Sequence, residues 1–144
     1  MKISVRYTDG FAIVDVTGNL IGGLENSERF HTVFKSLLSD GKCRIAVNLG
    51  ETPWADSQGI GMLIGAYTSV TRVEGELVLA APSQRVRNLL AVTQLNRLFT
   101  VVETEEKALS YLRAASATPG VARSLATSSG AADDSGTFRA AARW

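Results

Sequence analysis

Asp56, Ser57 and Gln58 set an acid, a hydroxyl and an amide side by side within "WADSQGIGMLIGAY", residues 54–67. The hydroxyl admits more than one chemistry. As a nucleophile Ser57 needs a base, and the chain holds a single histidine, His31. The stretch also lacks the G-x-S-x-G turn that exposes a hydrolase serine, which disfavours Ser-His-Asp chemistry. As a phosphate acceptor Ser57 is better placed. It stands where a helix should begin, and a first helical turn offers unpaired N–H groups and the positive end of the peptide dipoles. A phosphate ester there carries about −1.5 to −2 charges. The helix mouth tolerates that anion, whereas a partner docked over the same surface would have to desolvate it beside Asp56. A third class is an enzyme or small-ligand binder that uses the same anion-friendly mouth.

A structural role stands beside the chemical one. Either Asp56 or Ser57 can be the N-cap, a role worth about 1 kcal/mol. Only one cap is needed, so Ser57 is read as helping to cap and also as the exposed group. Behind it Ile60, Met62, Leu63 and Ile64 make the helix apolar on nearly every side, hence a buried, rigid platform. Gly59, Gly61 and Gly65 each cost a helix up to about 1 kcal/mol relative to alanine. Close packing on a sheet accounts for Gly61 and Gly65, while Gly59 in the first turn also leaves the serine hydroxyl open. Trp54 and Pro53 precede the motif, and Trp54 is either a core anchor or an interface anchor. Cys43 is the lone cysteine and is read as a small apolar residue at the start of a strand. One cysteine and one histidine argue against a structural metal site, so neither metal nor cofactor is expected. His31 is read as a boundary residue of an amphipathic helix, and Arg85 and Arg87 as solvated.

The elements that must carry these residues follow from periodicity. "KISVRYT" (Lys2–Thr8) alternates, "DG" (Asp9-Gly10) turns, and "FAIVDVTG" (Phe11–Gly18) returns as an antiparallel strand. "NLIGGLEN" reads as a loop. Leu24, Phe30, Val33, Phe34, Leu37 and Leu38 have helical spacing, with Gly41 as the residue beyond the helix end. Cys43–Gly50 is a strand, and Ser57 to Val73 a helix. Leu77–Ala80 is a buried strand, Ser83–Thr93 a helix, Leu98–Thr104 a last strand, and Thr104 opens a final helix. The order β-β-α-β-α-β-α-β-α predicts an α/β domain, residues 1–116. It is a single mixed β-sheet, begun by a hairpin and layered with about four helices. Residues 117–144 are rich in Ala, Ser, Thr and Gly, and are expected to be a disordered tail.

Totals exclude several classes. The chain has 144 residues, 45% apolar, with formal net charge +1. That is enough for one core and gives no footprint for direct nucleic-acid binding. No apolar run reaches the about 20 residues of a membrane span, and the start has no signal-peptide core, so a cytoplasmic protein without membrane contact is expected.

"NLGETPWADSQGIGMLIGAY" resembles the signature of STAS-domain anti-sigma factor antagonists, in which Asp-Ser-Ser/Thr-Gly-Leu-Gly opens an apolar helix after a strand. "VTGNL" (Val16–Leu20) resembles that family's Thr-Gly-Glu/Asp-Leu. "VEGELVLAAPSQRVRNLLAVTQLNRLF" is similar to its following turn, strand and helix. The likeness spans roughly residues 2–115. It implies a bacterial STAS-like fold and a non-enzymatic, partner-switching module in transcriptional signalling. The unphosphorylated form would bind a serine kinase that doubles as an anti-sigma factor. Phosphorylation of Ser57, next to Asp56, would release it, and a serine phosphatase would reset it. The partner surface would comprise Asp56, Gln58, Gly59, Trp54, Asn19 and Ile21. Gln58 stands where the family has a second hydroxyl, and Asn19 and Ile21 occupy its two acidic positions. Those departures motivate the alternative, a STAS scaffold that binds its partner without phosphorylation.

Overall fold

The computed structural model of the chain describes residues 1–8 and 10–117. β1 (Lys2–Thr8) and β2 (Phe11–Thr17) form the expected hairpin, pairing Ile3 with Val16 and Thr8 with Phe11. Gly10 in the connection has φ +83°, which a two-residue hairpin turn demands and glycine supplies. Helices and strands then alternate: α1 (Leu24–Ser39), β3 (Arg44–Glu51), α2 (Ser57–Arg72), β4 (Glu76–Ala80), α3 (Gln84–Val92), β5 (Thr100–Val102) and α4 (Glu105–Ala117). Gly41, just past the end of α1, takes the left-handed conformation expected of it.

Two boundaries differ from expectation for a local reason. The last strand is short because the N–H groups of Leu98 and Phe99 both donate to the Leu95 carbonyl, at 3.0 Å each. A 3-10 turn, Leu95–Arg97, is still winding where a strand was expected. β3 starts at Arg44 rather than Cys43, whose carbonyl instead accepts from Glu76 N–H at 2.8 Å. The expected tail lies outside the described residues, apart from Ala117, which ends α4.

The sheet has the order β1-β2-β3-β4-β5, antiparallel between β1 and β2 and parallel elsewhere. Parallel neighbours need crossover connections, which α1, α2 and α3 supply. One face of the sheet, with Val14, Val47 and Leu79, packs under Phe30, Phe34, Leu63 and Leu90 of those helices. The other face, with Ile13, Ala46 and Val78, meets Ala108 and Leu112 of α4. β2 and β3 are therefore buried on both sides over Phe11–Val14 and Ile45–Val47, which is why those stretches read as short apolar runs.

One polar cluster ties the second face together. The Arg6 guanidinium donates to both carboxylate oxygens of Asp15 (2.8 Å to Oδ1) and to Glu105 Oε1 at 2.6 Å. Asn48 Nδ2 donates to Asp15 Oδ1 at 2.8 Å. The Arg6 hydrogen bonds hold the Asp15 carboxyl below the usual carboxylate range, with Asn48 helping and partial burial opposing.

Candidate functional site

The loops that leave β2 and β3 run side by side at the carboxyl ends of the parallel strands, where open α/β sheets place their ligands. Thr52 anchors the second loop. It is 1% exposed, and its Oγ1 donates to the Val16 carbonyl at 2.8 Å. Leu20 N–H donates to the Trp54 carbonyl at 2.8 Å, and Asp56 N–H to the Leu20 carbonyl at 3.1 Å. Leu20 and Ala55 thereby form a one-residue parallel bridge, both buried. On either side of buried Leu20, Asn19 and Ile21 are exposed.

Asp56 is the N-cap of α2. Its backbone is extended, and its Oδ1 accepts from Gly59 N–H at 2.6 Å and from Gly22 N–H at 3.2 Å. Ser57 does not cap. A cap needs non-helical backbone, and Ser57 is already the first helical residue. It is exposed, and its hydroxyl has no partner among the described residues. The cap expected of the serine therefore belongs wholly to the acid before it, and the hydroxyl is left unengaged.

The glycines also sort differently from expectation. A Cβ on Gly59 would collide with the Leu20 carbonyl, so this buried glycine admits the β2–α1 loop rather than opening space around Ser57. A Cβ on Gly22 would collide with Gln58 Cβ, so the loop and the first turn of α2 touch there too. Gly61 and Gly65 do not pack on the sheet. The sheet side of α2 carries Ile60, Leu63, Ala66 and Val70, and a Cβ on either glycine would meet nothing within 4 Å. Both line an open groove of about 280 Å³ between α1 and α2, with Phe30, Phe34, Met62 and, at one end, Gln58. His31 is exposed on the same groove, consistent with a boundary residue.

Trp54 is 42% exposed, so it is no core anchor. Pro53 is exposed beside it, and its carbonyl accepts from Ser83 Oγ at 3.1 Å, which joins the start of α3 to the same loop. Ile21 is 38% and Leu24 78% exposed. Half of the large apolar side chains that the described residues expose thus lie on the two loops flanking Ser57 or on the first residue of α1. Leu24 was missed as a surface residue because it was grouped with the apolar positions of α1, although at about 3.6 residues per turn it lies roughly a quarter turn or more from the face of buried Phe30, Phe34 and Leu37. The available signal was the Gly22-Gly23 pair before it, which makes Leu24 the first helical residue, ahead of the face that packs. From Gly18 to Gly23 and from Thr52 to Ile60, Asp56 is the only charged residue. The arrangement is a partly apolar surface, with Asp56 its one charge between those bounds, around one unengaged hydroxyl at a helix mouth.

Comparison with known proteins agrees with this fold. The family model described as the STAS domain matches residues 2–108. A Thermotoga neapolitana relative, provisionally named an anti-sigma factor antagonist and TM1081 homolog, is 31% identical over 91 residues. The aligned part is 62% of this chain and 80% of the relative. The crystal structure of TM1081 from Thermotoga maritima superposes with a TM-score of 0.71 at 24% identity, covering 77% of this chain and 94% of that one. The Bacillus cell fate determinant SpoIIAA in its phosphorylated form superposes with a TM-score of 0.60 at 21% identity, covering 76% and 97%.

Proposed function

The chain belongs to the STAS-domain family, related to anti-sigma factor antagonists, and from that premise we propose that it is a partner-switching antagonist whose switch is Ser57. Unphosphorylated, it binds a serine kinase that doubles as an anti-sigma factor, which frees the sigma factor. The kinase then transfers the γ-phosphoryl group of ATP to Ser57 Oγ. ADP leaves, the hydroxyl proton passes to a base of the kinase, and the complex separates. A serine phosphatase restores the hydroxyl. In this proposal the domain of residues 1–116 is a cytoplasmic binding module and not an enzyme. It contacts protein rather than nucleic acid or membrane. No helix among the described residues is long and apolar enough to cross a membrane.

The observation that carries the reading is the division of labour at the helix mouth. Asp56 does the capping, so Ser57 stands exposed with its hydroxyl unengaged. Trp54, Ile21 and Leu24 supply exposed apolar surface beside it. A partner covering them would have to desolvate a dianion next to the Asp56 carboxylate, which is costly in a buried interface. The test is affinity capture from native lysate with wild-type protein, Ser57→Ala and Ser57→Glu. Wild type and Ser57→Ala are expected to retain an ATP-binding kinase, and Ser57→Glu to lose it. Equal retention by all three would remove Ser57 as the switch.

A second reading has its own observation. Gln58, Asn19 and Ile21 are all exposed and uncharged, where the resemblance leads one to expect a hydroxyl and two acids. They fit a scaffold that holds its partner regardless of phosphorylation. Recovery of Ser57-phosphorylated protein from native cells would eliminate that version.

A further inference from the structure

Ser57 lies between the two residues that grip the β2–α1 loop. On one side Asp56 Oδ1 holds Gly22 N–H at 3.2 Å, with the same oxygen that caps Gly59 N–H. On the other side Gln58 lies directly against Gly22, at a spacing that leaves no room for a Cβ. Leu20 is fixed independently, buried and bonded to Trp54 and Asp56 through its backbone. Past Leu20 the chain is lightly held. Gly23 has φ +114°, a conformation that favours glycine. Two further polar ties among the described residues reach the segment, Asn26 Nδ2 to the Ile21 carbonyl at 3.1 Å and Ser27 N–H to the Gly23 carbonyl at 2.9 Å, and both come from the first turn of α1. The segment Ile21-Gly22-Gly23 carries one exposed apolar residue and leads directly into another, Leu24.

We propose that Asp56 and Gln58 are positioning residues for Ile21–Gly23, and that a phosphate on Ser57 acts on the partner surface through them, by displacing that segment. This rests on the reading of Ser57 as a phosphate acceptor and deepens it. A phosphate on Ser57 Oγ is covalently next to the Asp56 carboxylate and repels it. It is also the stronger acceptor for the N–H groups of the first turn, Gly59 among them. Both effects draw Asp56 off Gly22. Release of the partner then follows from a moved docking segment as well as from new charge.

The experiment uses the full chain with phosphoserine placed at position 57 during translation, so it needs no kinase. Amide hydrogen exchange is followed by NMR. Gly22 N–H is expected to exchange about tenfold faster in the phosphoprotein, the scale of one lost hydrogen bond. The amides of Val47 and Leu79 in the sheet are expected to stay unchanged. Asp56→Ala should reproduce the Gly22 effect without phosphate. Asp56→Asn should not, because an amide oxygen can still accept from both Gly22 and Gly59. Gly22→Ala pushes the segment from α2 with no added charge, and should lower partner retention at least about tenfold on an unmodified Ser57, the size of effect expected when a central contact is displaced. Unchanged Gly22 exchange in the phosphoprotein overturns the proposal. If that same phosphoprotein still drops its partner, the acceptor reading stands without it. If Gly22 responds but Ser57 is never phosphorylated in cells, the coupling stands and the acceptor reading fails.

Discussion

Gly59 and Gly61 share one helix two positions apart, yet they meet different surroundings. A Cβ on Gly59 runs into the Leu20 carbonyl, while one on Gly61 meets nothing within 4 Å. Gly59→Ala is therefore expected to destabilise the fold by about 1–3 kcal/mol through overpacking. Gly61→Ala is expected to stabilise it by about 0.5–1 kcal/mol through helix propensity and a stiffer unfolded chain. Urea unfolding of the two variants checks the pair, and shifts of the same sign would contradict the packing described. At this scale the sequence is informative about kind and weak about cause. The D-S step before an apolar run announces a helix start, but not which of two adjacent capping residues does the work. That depends on which one keeps an extended backbone, and Asp56 does so with its N–H donating to the carbonyl of Leu20, a residue distant in the chain. Likewise the sequence sets Gly59 apart from Gly61 and Gly65 by its place in the first turn, but only the position of the β2–α1 loop shows that Gly59 is the closely packed one.

Among the elements, α3 bears on the site without touching Ser57. Ser83 caps it, its Oγ accepting from Val86 N–H at 3.2 Å while donating to the Pro53 carbonyl at 3.1 Å. Ser83→Ala is expected to cost about 1 kcal/mol. It should also loosen the loop that carries Trp54, seen as faster amide exchange around residues 53–55 in the same sample. A stability loss with unchanged exchange there would mean that the bond to Pro53 does not steady the loop. The order of strands and helices was legible because each element announces itself locally: alternation in Lys2–Thr8, helical spacing from Phe30 to Leu38, an acid-rich first turn at Glu105 and Glu106. What stayed hidden is either non-local or very short. The bridge between Leu20 and Ala55 has no periodic signature, and the 3-10 turn at Leu95–Arg97 is too short to leave one.

Across the whole molecule, α4 closes the face of the sheet opposite to α1–α3, and the Arg6–Asp15–Glu105 cluster links it to the hairpin. The Asp15 carboxyl has its folded-state pKa depressed below the ordinary 3.8, chiefly by the Arg6 hydrogen bonds. Its contribution to stability is thus fully present above that ordinary value and is lost as pH falls through the lower folded-state value. Arg6 is half exposed, so solvent screening limits the contribution to about 1 kcal/mol. Asp15→Asn is expected to lower stability by that amount at neutral pH, with the gap to wild type closing as the solution is acidified below pH 4. A gap that stays constant through acid would assign the effect to packing instead of charge. The mixed sheet itself was readable from the Asp9-Gly10 turn, which forces one antiparallel pair ahead of the alternating units. The cluster was not, because Arg6, Asp15, Asn48 and Glu105 become neighbours only once the sheet has paired and α4 has docked.

The exposed Trp54 gives the surface around Ser57 an optical handle. The chain has two tryptophans, and the other is the terminal Trp144. With that one replaced by phenylalanine, the remaining indole emits from the candidate docking surface alone. Its wavelength and quenching then report, without any label, when that surface passes from solvent to a covered state. Partner exchange could be followed in a stopped-flow cuvette on the protein's own light.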